Sequence, residues 1–203
     1  MANSILKKIL IWFWSIFALG LASIILIFWL ITKGALGYLP PLEELQNPKN
    51  KFATEVISSD MQLLGRYYRQ ENRVGVNYED ISPNMINALI ATEDARYYNH
   101  TGIDFKSLLR AIVKMGRAGG GSTITQQLAK QLWSPRANNI FERALQKPIE
   151  WVIATKLERL YSKEEILTMY LNQFDFLYNA VGIKSAAQVY FSTTPDKLAI
   201  EEA

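Results

Sequence analysis

The chain has 203 residues, enough for one sizeable core, and 49% of them are hydrophobic, with much of that concentrated near the N-terminus. It contains no cysteine, which excludes disulfides and thiolate metal sites. The formal charge is +3, and setting aside Lys7 and Lys8 leaves 20 basic against 19 acidic residues, a balance that argues against a nucleic-acid partner.

Ile9 to Thr32 carries no charge, and only Ser15, Gly20, Ser23 and Thr32 interrupt the apolar run. As a helix it would rise roughly 36 Å, enough to cross a bilayer with some tilt. It is too long for a signal-peptide core, and the Gly34–Gly37 stretch is a poor cleavage site. Lys7 and Lys8 precede it and only Lys33 follows closely, which predicts an internal N-terminus and an external body. The chain thus reads as a cytoplasmic segment (1–8), a transmembrane signal-anchor (9–32), a Pro/Gly-bearing linker (33–52) and a domain from 53 to 203. That domain opens with a predicted hairpin: Ala53–Ser58 and Gln62–Tyr68 are rich in β-formers and flank Ser59-Asp60, although Met61 stands where glycine would be the stronger turn residue. Beyond it the pattern is helical almost to the end.

Ser82 and Pro83 read as an N-cap and first helical residue. Ile86, Leu89, Ile90, Glu93 and Tyr97 then recur at helical spacing, which places Glu93 on an apolar face, half-buried. A carboxylate so placed holds its proton more tightly and can serve as a general base or acid. It could equally be an ion-paired residue at the core edge, and this helix alone does not decide. Asp104 should cap the next helix, which runs to about Met115, with Phe105, Leu108, Leu109, Ile112 and Val113 on one side and Lys106, Arg110, Lys114 and Arg117 on the other. Such a helix suits anionic lipid headgroups or an ordinary solvated face.

Gly119 to Gly121 supply a mobile joint ahead of a helix started by Ser122 or Thr123, with Thr123 and Gln126 spaced as a capping box. Lys130 lies two turns in, on the face of Thr123, Gln126 and Gln127; that face is an anion site or simply solvated. In the helical stretch Asn139–Tyr161, Pro148 predicts a kink or restart near Gln146–Lys147. Arg143, Lys147 and Glu150 share a face there, as a surface ion-pair ladder or as the wall of a site. Ser162 and Glu165 form a second capping box, and DKLAIEEA at the end still reads helical, as if cut short.

These motifs assemble. Glu93-Asp94-x-x-Tyr97-x-x-His100-x-Gly102 resembles the first signature of the peptidoglycan glycosyltransferases, family 51. Gly121-Ser122-Thr123-Ile124-Thr125-Gln126-Gln127-x-x-Lys130 matches the second at every position; Lys147-x-x-Glu150 is similar to the third, Lys163-x-x-Ile166-x-x-x-Tyr170-x-Asn172 to the fourth, and Leu198–Ala203 to the start of the fifth. Two positions depart: the family has phenylalanine at Tyr97 and arginine at Gln146, where Arg143 one turn earlier could compensate.

The resemblance implies a mainly α, lysozyme-like glycosyltransferase domain preceded by one transmembrane helix and a short β-hairpin, the whole in the bacterial cytoplasmic membrane with its catalytic part outside. It implies polymerisation of lipid II onto a growing glycan chain with release of undecaprenyl pyrophosphate. Glu93 would be the base and Glu150 the second catalytic carboxylate. Asp94, Tyr97, His100, Ser122, Thr123, Gln126, Gln127, Lys130, Arg143, Lys147, Lys163, Tyr170 and Asn172 would line the substrate site, with Lys130, Lys147 and Lys163 facing the leaving diphosphate. A divalent ion, Mg2+ or Mn2+, can assist in the family, although the sequence shows no dedicated cage; cell-wall synthesis proteins are the implied partners. A lysozyme-like lytic enzyme and a non-catalytic membrane-anchored scaffold are the rival readings. The first has no reason to carry the GSTITQQxxK block, and the second none to retain both Glu93 and Glu150. The only Ser-x-x-Lys, Ser4 to Lys7, precedes the anchor, yet the preamble resembles that of a bifunctional penicillin-binding protein.

Overall fold

The structure is a computed structural model that describes residues 2–48, 54–61, 63–67, 74–114, 120–134, 137 and 139–203. It divides into two compact units, one of Met1–Leu39 with Ala137–Ile149 and one of Pro40–Arg136 with Glu150–Ala203.

The first unit contains α1 (Ala2–Thr32). Its stretch Ile5–Thr32 is 28 residues with a mean hydropathy of 2.4 and only 6% of the window buried, so it is long and apolar enough to cross a membrane. The unit also holds the N-terminal half of α6 (Ile140–Leu160), with Arg143 and Lys147. Pro148 lies inside α6, and the expected restart near Gln146–Lys147 does not occur: the helix runs unbroken from Ile140 to Leu160.

The second unit is helical apart from β1 (Thr54–Ile57) and β2 (Leu63–Tyr67), which pair antiparallel with an irregularity between Val56 and Ile57. Ala53, Gln62 and Tyr68 of the expected hairpin lie outside the described residues. Met61 takes the left-handed conformation that its place in the turn demanded, with φ 63°. The segment read as a linker carries α2 (Leu42–Gln46), whose Leu45 is fully buried. Trp133 Nε1 donates to Glu44 Oε1 at 3.0 Å, and the Tyr161 hydroxyl lies 2.8 Å from the carbonyls of Leu45 and Gln46.

Three helices supply nearly half of the buried apolar residues: α5 (Ile124–Trp133), the C-terminal half of α6, and α7 (Lys163–Gln173). Ile124 and Leu128, Ile153 and Leu157, and Ile166, Leu167 and Leu171 are all sealed from water. The α5 and α7 helices pack directly on each other. Ser162 starts α7 with the expected reciprocal cap, its side chain receiving the Glu165 N–H while Glu165 receives that of Ser162. In the first shell of polar groups around this core, Asn172 closes both sides of its amide on Val76, accepting from its N–H at 3.1 Å and donating to its carbonyl at 2.9 Å.

The chain closes with α8 (Ile183–Phe191) and a single helical turn at Pro195–Lys197. The helix expected in DKLAIEEA is absent: past the single turn at Pro195–Lys197 the chain is irregular, with a turn at residues 200–202. The reason is tertiary. Leu198 is buried, and its carbonyl accepts from the Ser82 hydroxyl at 2.9 Å and the Asn84 amide at 3.2 Å, which fastens this segment to the start of α3 (Pro83–Glu93).

Between α7 and α8, Leu177, Tyr178 and Asn179 all have positive φ (71°, 47° and 64°). Hydrogen bonds from Ala180 N to Leu177 O and from Tyr190 Oη to Phe176 O hold the loop in this form. A left-handed leucine costs roughly 1–2 kcal/mol, partly offset by the extra chain entropy a glycine would lose. Leu177 is exposed, so its side chain contributes little burial. Leu177→Gly is therefore expected to raise the thermal unfolding midpoint of the full chain by about 2–4 °C; an unchanged or lower midpoint would show that the loop carries no strain.

Candidate active site

The site is built where α3 ends. Ser82 Oγ accepts from Asn84 N and Pro83 occupies the first helical position, as the sequence required. The helix stops at Glu93 because Asp94 leaves helical geometry (φ −154°, ψ 70°) and a separate turn, Tyr97–Asn99, buries Tyr97. The apolar pattern therefore crosses two elements, and the expectation of a half-buried Glu93 fails: its side chain is exposed. It does not stand alone in water, however. Glu93 Oε2 accepts a 2.6 Å hydrogen bond from Gln127 Nε2, and Gln127 Oε1 accepts from the Tyr170 hydroxyl at 3.1 Å. Burial first, and then the charge of Glu93, push the Tyr170 phenol up to about 12.

Asp94, next in the chain, is buried and points elsewhere. Its carboxylate faces His100 Nε2 at 3.0 and 3.1 Å and accepts the N–H of Ile124 at 3.2 Å. Gly102 N donates to His100 Nδ1 at 3.2 Å, so the ring proton sits on Nε2 and is donated to Asp94. The pair thereby places a negative charge at the N-terminus of α5, where the helix field favours it. Thr123 caps the same helix by accepting from Gln126 N, but only half of the expected capping box forms. Gln126 instead donates its side-chain amide to Gly102 O at 3.0 Å, and the Thr123 hydroxyl donates to the same carbonyl at 2.8 Å.

The fourth-signature lysine is also committed to the scaffold. Lys163 Nζ donates to Glu158 and to His100 O at 2.8–2.9 Å and lies 4.2 Å over the Tyr97 ring. Glu158 in turn accepts from Thr125 Oγ1 at 2.6 Å, and Tyr97, whose phenol burial pushes far up, donates to Lys163 O at 2.9 Å. Of the residues expected to touch substrate, Asp94, Tyr97, His100, Thr123, Gln126, Lys163 and Asn172 thus carry hydrogen bonds that hold the second unit together. Lys163, expected to face the leaving diphosphate, is held in this structure by Glu158, the His100 carbonyl and the Tyr97 ring.

The groups that do gather around Glu93 line two cavities. One, of about 430 Å³, has Glu93, Arg96, Arg110, Ser122 and Gln127 on its walls, with the backbone of Gly120 and Gly121. Gly119 of the expected joint lies outside the described residues. Gly121 packs tightly under α4 (Phe105–Val113): a Cβ there would lie 3.1 Å from Leu108 Cα. The other cavity, of about 180 Å³, has Glu93 and Tyr170 beside Met85, Leu89, Phe174 and Phe176. The sequence shows Arg110 only as part of a basic stripe, one turn after Lys106. Lys130 is exposed on α5. Glu150 is 1% exposed in α6 and lines neither cavity. Among the described residues, no three acidic, histidine or cysteine side chains converge as a metal site.

The wall nearest α4 is braced by Asp104, which caps that helix by accepting from the N–H groups of Lys106 and Ser107 and receives Arg96 Nε and Nη2 at 2.7–2.9 Å. Burial works against its charge, but the Arg96 and Ser107 hydrogen bonds prevail and hold the carboxyl down at about 2. A depressed carboxyl contributes stability that is present above its ordinary value of 3.8 and is lost as the pH falls through about 2. Asp104→Asn keeps the cap and removes the charge. It is expected to lower stability near neutrality by about 1 kcal/mol, the half-exposed Arg96 screening the rest. That difference should vanish when urea unfolding is repeated near pH 2; persistence at low pH would place the loss outside this ion pair.

Comparison with known proteins agrees with this architecture. A family model described as Transglycosylase matches residues 60–203. The chain is 38% identical over 170 residues to penicillin-binding protein 1A of Escherichia coli (strain K12), covering 81% of this chain and 19% of that protein. It is 40% identical over 169 residues to penicillin-binding protein 1A of Aquifex aeolicus, covering 81% and 22%, and 42% identical over 136 residues to penicillin-binding protein 1F of Bacillus subtilis, covering 65% and 18%. The chain thus spans about a fifth of the length of these relatives. With most of its second unit matched and its mainly helical fold as the family requires, the chain belongs to the transglycosylase family, the glycosyltransferase family 51 domain of class A penicillin-binding proteins.

Proposed function

We propose that the protein polymerises lipid II: the 4-hydroxyl of the acceptor attacks the anomeric carbon of the growing, lipid-linked glycan. A new C–O bond forms, the bond to the undecaprenyl diphosphate breaks with its electron pair leaving on the diphosphate, and Glu93 takes the hydroxyl proton. The observation that carries this reading is that the Glu93 carboxylate belongs to the walls of both a polar and an apolar cavity. A base reached from two compartments suits transfer between two bound sugars.

Glu93 is exposed, so in this reading its desolvation comes with the substrate, whose sugars and lipid displace water from the carboxylate. Positive charge is needed where the diphosphate departs. Arg110 on the cavity wall and Lys130 on α5 supply it in this reading, with Lys147 and Arg143 added on the strength of the family motif. Glu150 acts as the second carboxylate by the same motif, and a divalent ion would add charge at the diphosphate without a protein cage of its own. Phe105, Leu109, Ile112 and Val113 of α4 are exposed beside Lys106 and Lys114, which suits a helix lying in the headgroup layer. With 9–32 spanning the membrane and the N-terminus inside, the domain from 53 onward would then meet its lipid substrate on the outer face, as the N-terminal part of a bifunctional protein.

The test is to give the full chain in lipid vesicles labelled lipid II and, separately, finished peptidoglycan. Polymer from the first with no sugars released from the second is the expected result. Release without polymerisation would favour the lytic alternative.

A further inference from the structure

Glu93 is the last residue of its helix, exposed and free of packing on most sides, which is a poor way to hold a reacting group. A glutamate side chain so placed loses on the order of 1.5 kcal/mol of rotamer freedom when fixed. The structure provides the fixing from two other helices. Gln127 on α5 donates to Glu93, and Tyr170 on α7 donates to Gln127. The α5 and α7 helices pack on each other, so the distance between these two groups is set by the core.

We infer that Gln127 and Tyr170 are positioning residues, a two-member relay that holds the Glu93 carboxylate at the boundary of the two cavities. This inference rests on the reading of Glu93 as the base. The chemistry of the amide gives it direction. A glutamine has one carbonyl oxygen and one NH₂ group; if the amide were turned over, its oxygen would face the carboxylate and repel it. Tyr170 prevents this by donating to the oxygen, and a tyrosine phenol keeps its proton at ordinary pH. Its ring is held independently of the hydroxyl: it is 2% exposed and lies 5.4 Å from the Phe174 ring. Removing the oxygen alone therefore leaves the packing in place.

The test uses the full chain in lipid vesicles with labelled lipid II. Tyr170→Phe is expected to lower kcat about 10-fold with KM within about 2-fold, and Gln127→Ala to lower kcat at least as much. Because the two act as a unit, Tyr170→Phe added to Gln127→Ala should cost less than about 2-fold more. A rise in KM at constant kcat would make them substrate contacts and overturn the relay, as would losses that multiply in the double variant. A readout without activity separates this from the base assignment. With ¹⁵N-glutamine labelling, the Gln127 side-chain amide protons should move towards free-amide positions in both Glu93→Ala, which removes the acceptor, and Tyr170→Phe. Unmoved resonances in either variant would overturn the relay. Polymerisation persisting in Glu93→Gln would instead sink the base reading.

Discussion

Glu93→Gln is expected to reduce glycan polymerisation by the full chain at least about 10²-fold, the lower end of what a positioned general base contributes. The substitution is nearly isosteric, and its remaining carbonyl oxygen can still accept from Gln127 Nε2, which is the only hydrogen bond Glu93 makes among those described. Glu93 is exposed and lies at a helix end, so neither core packing nor helix capping changes, and the thermal midpoint should stay within about 1 °C. What disappears is the site for the acceptor's proton. Glu150→Gln gives a useful contrast. It too should abolish polymerisation, but Glu150 is sealed within α6 at 1% exposure, so an accompanying stability change is expected there and not at Glu93. Activity in Glu93→Gln within about 3-fold of the native chain would be too high for a missing base and would remove the central claim.

How far the sequence reached depends on how local each signal was. Caps are local, and Ser82, Asp104, Thr123 and Ser162 all start helices where their residue types placed them. The left-handed Met61 was likewise visible from its position in a turn. The exposure of Glu93 was not, because a 3.6-residue pattern cannot show that the helix ends within it; Asp94 turns the chain there to reach Ile124 N, thirty residues on. The family motif identified His100, Thr123, Gln126 and Lys163 as important without saying why. His100 and Lys163 meet Asp94 and Glu158 across turns, and Thr123 and Gln126 reach the Gly102 carbonyl 21 and 24 residues back, none of which a helical pattern shows. Arg110 was missed for the converse reason: it was read as one cation in an evenly spaced stripe, and only the fold brings it to the wall shared with Glu93.

That shared scaffold converges on one glycine, and Gly102→Ala is expected to destabilise the second unit by about 3 kcal/mol or more. Gly102 has φ +90°, a conformation that alanine adopts only under strain. Its added Cβ would also lie 2.9 Å from Ala154 C and 3.0 Å from Ala154 O, within the backbone of α6, which cannot move aside as a side-chain tip can. The damage would not stop at the clash. The Gly102 carbonyl receives Thr123 Oγ1 and Gln126 Nε2, and its N–H fixes the His100 ring against Asp94. Displacing this residue therefore loosens the N-terminus of α5, and with it Gln127 and the carboxylate that Gln127 holds. Thermal unfolding of the full chain should show the loss directly, and polymerisation below the midpoint should fall by about 10-fold or more through Glu93 alone. A variant that melts like the native chain would mean that α6 yields at Ala154 and that the close approach is not what sets the position of α5.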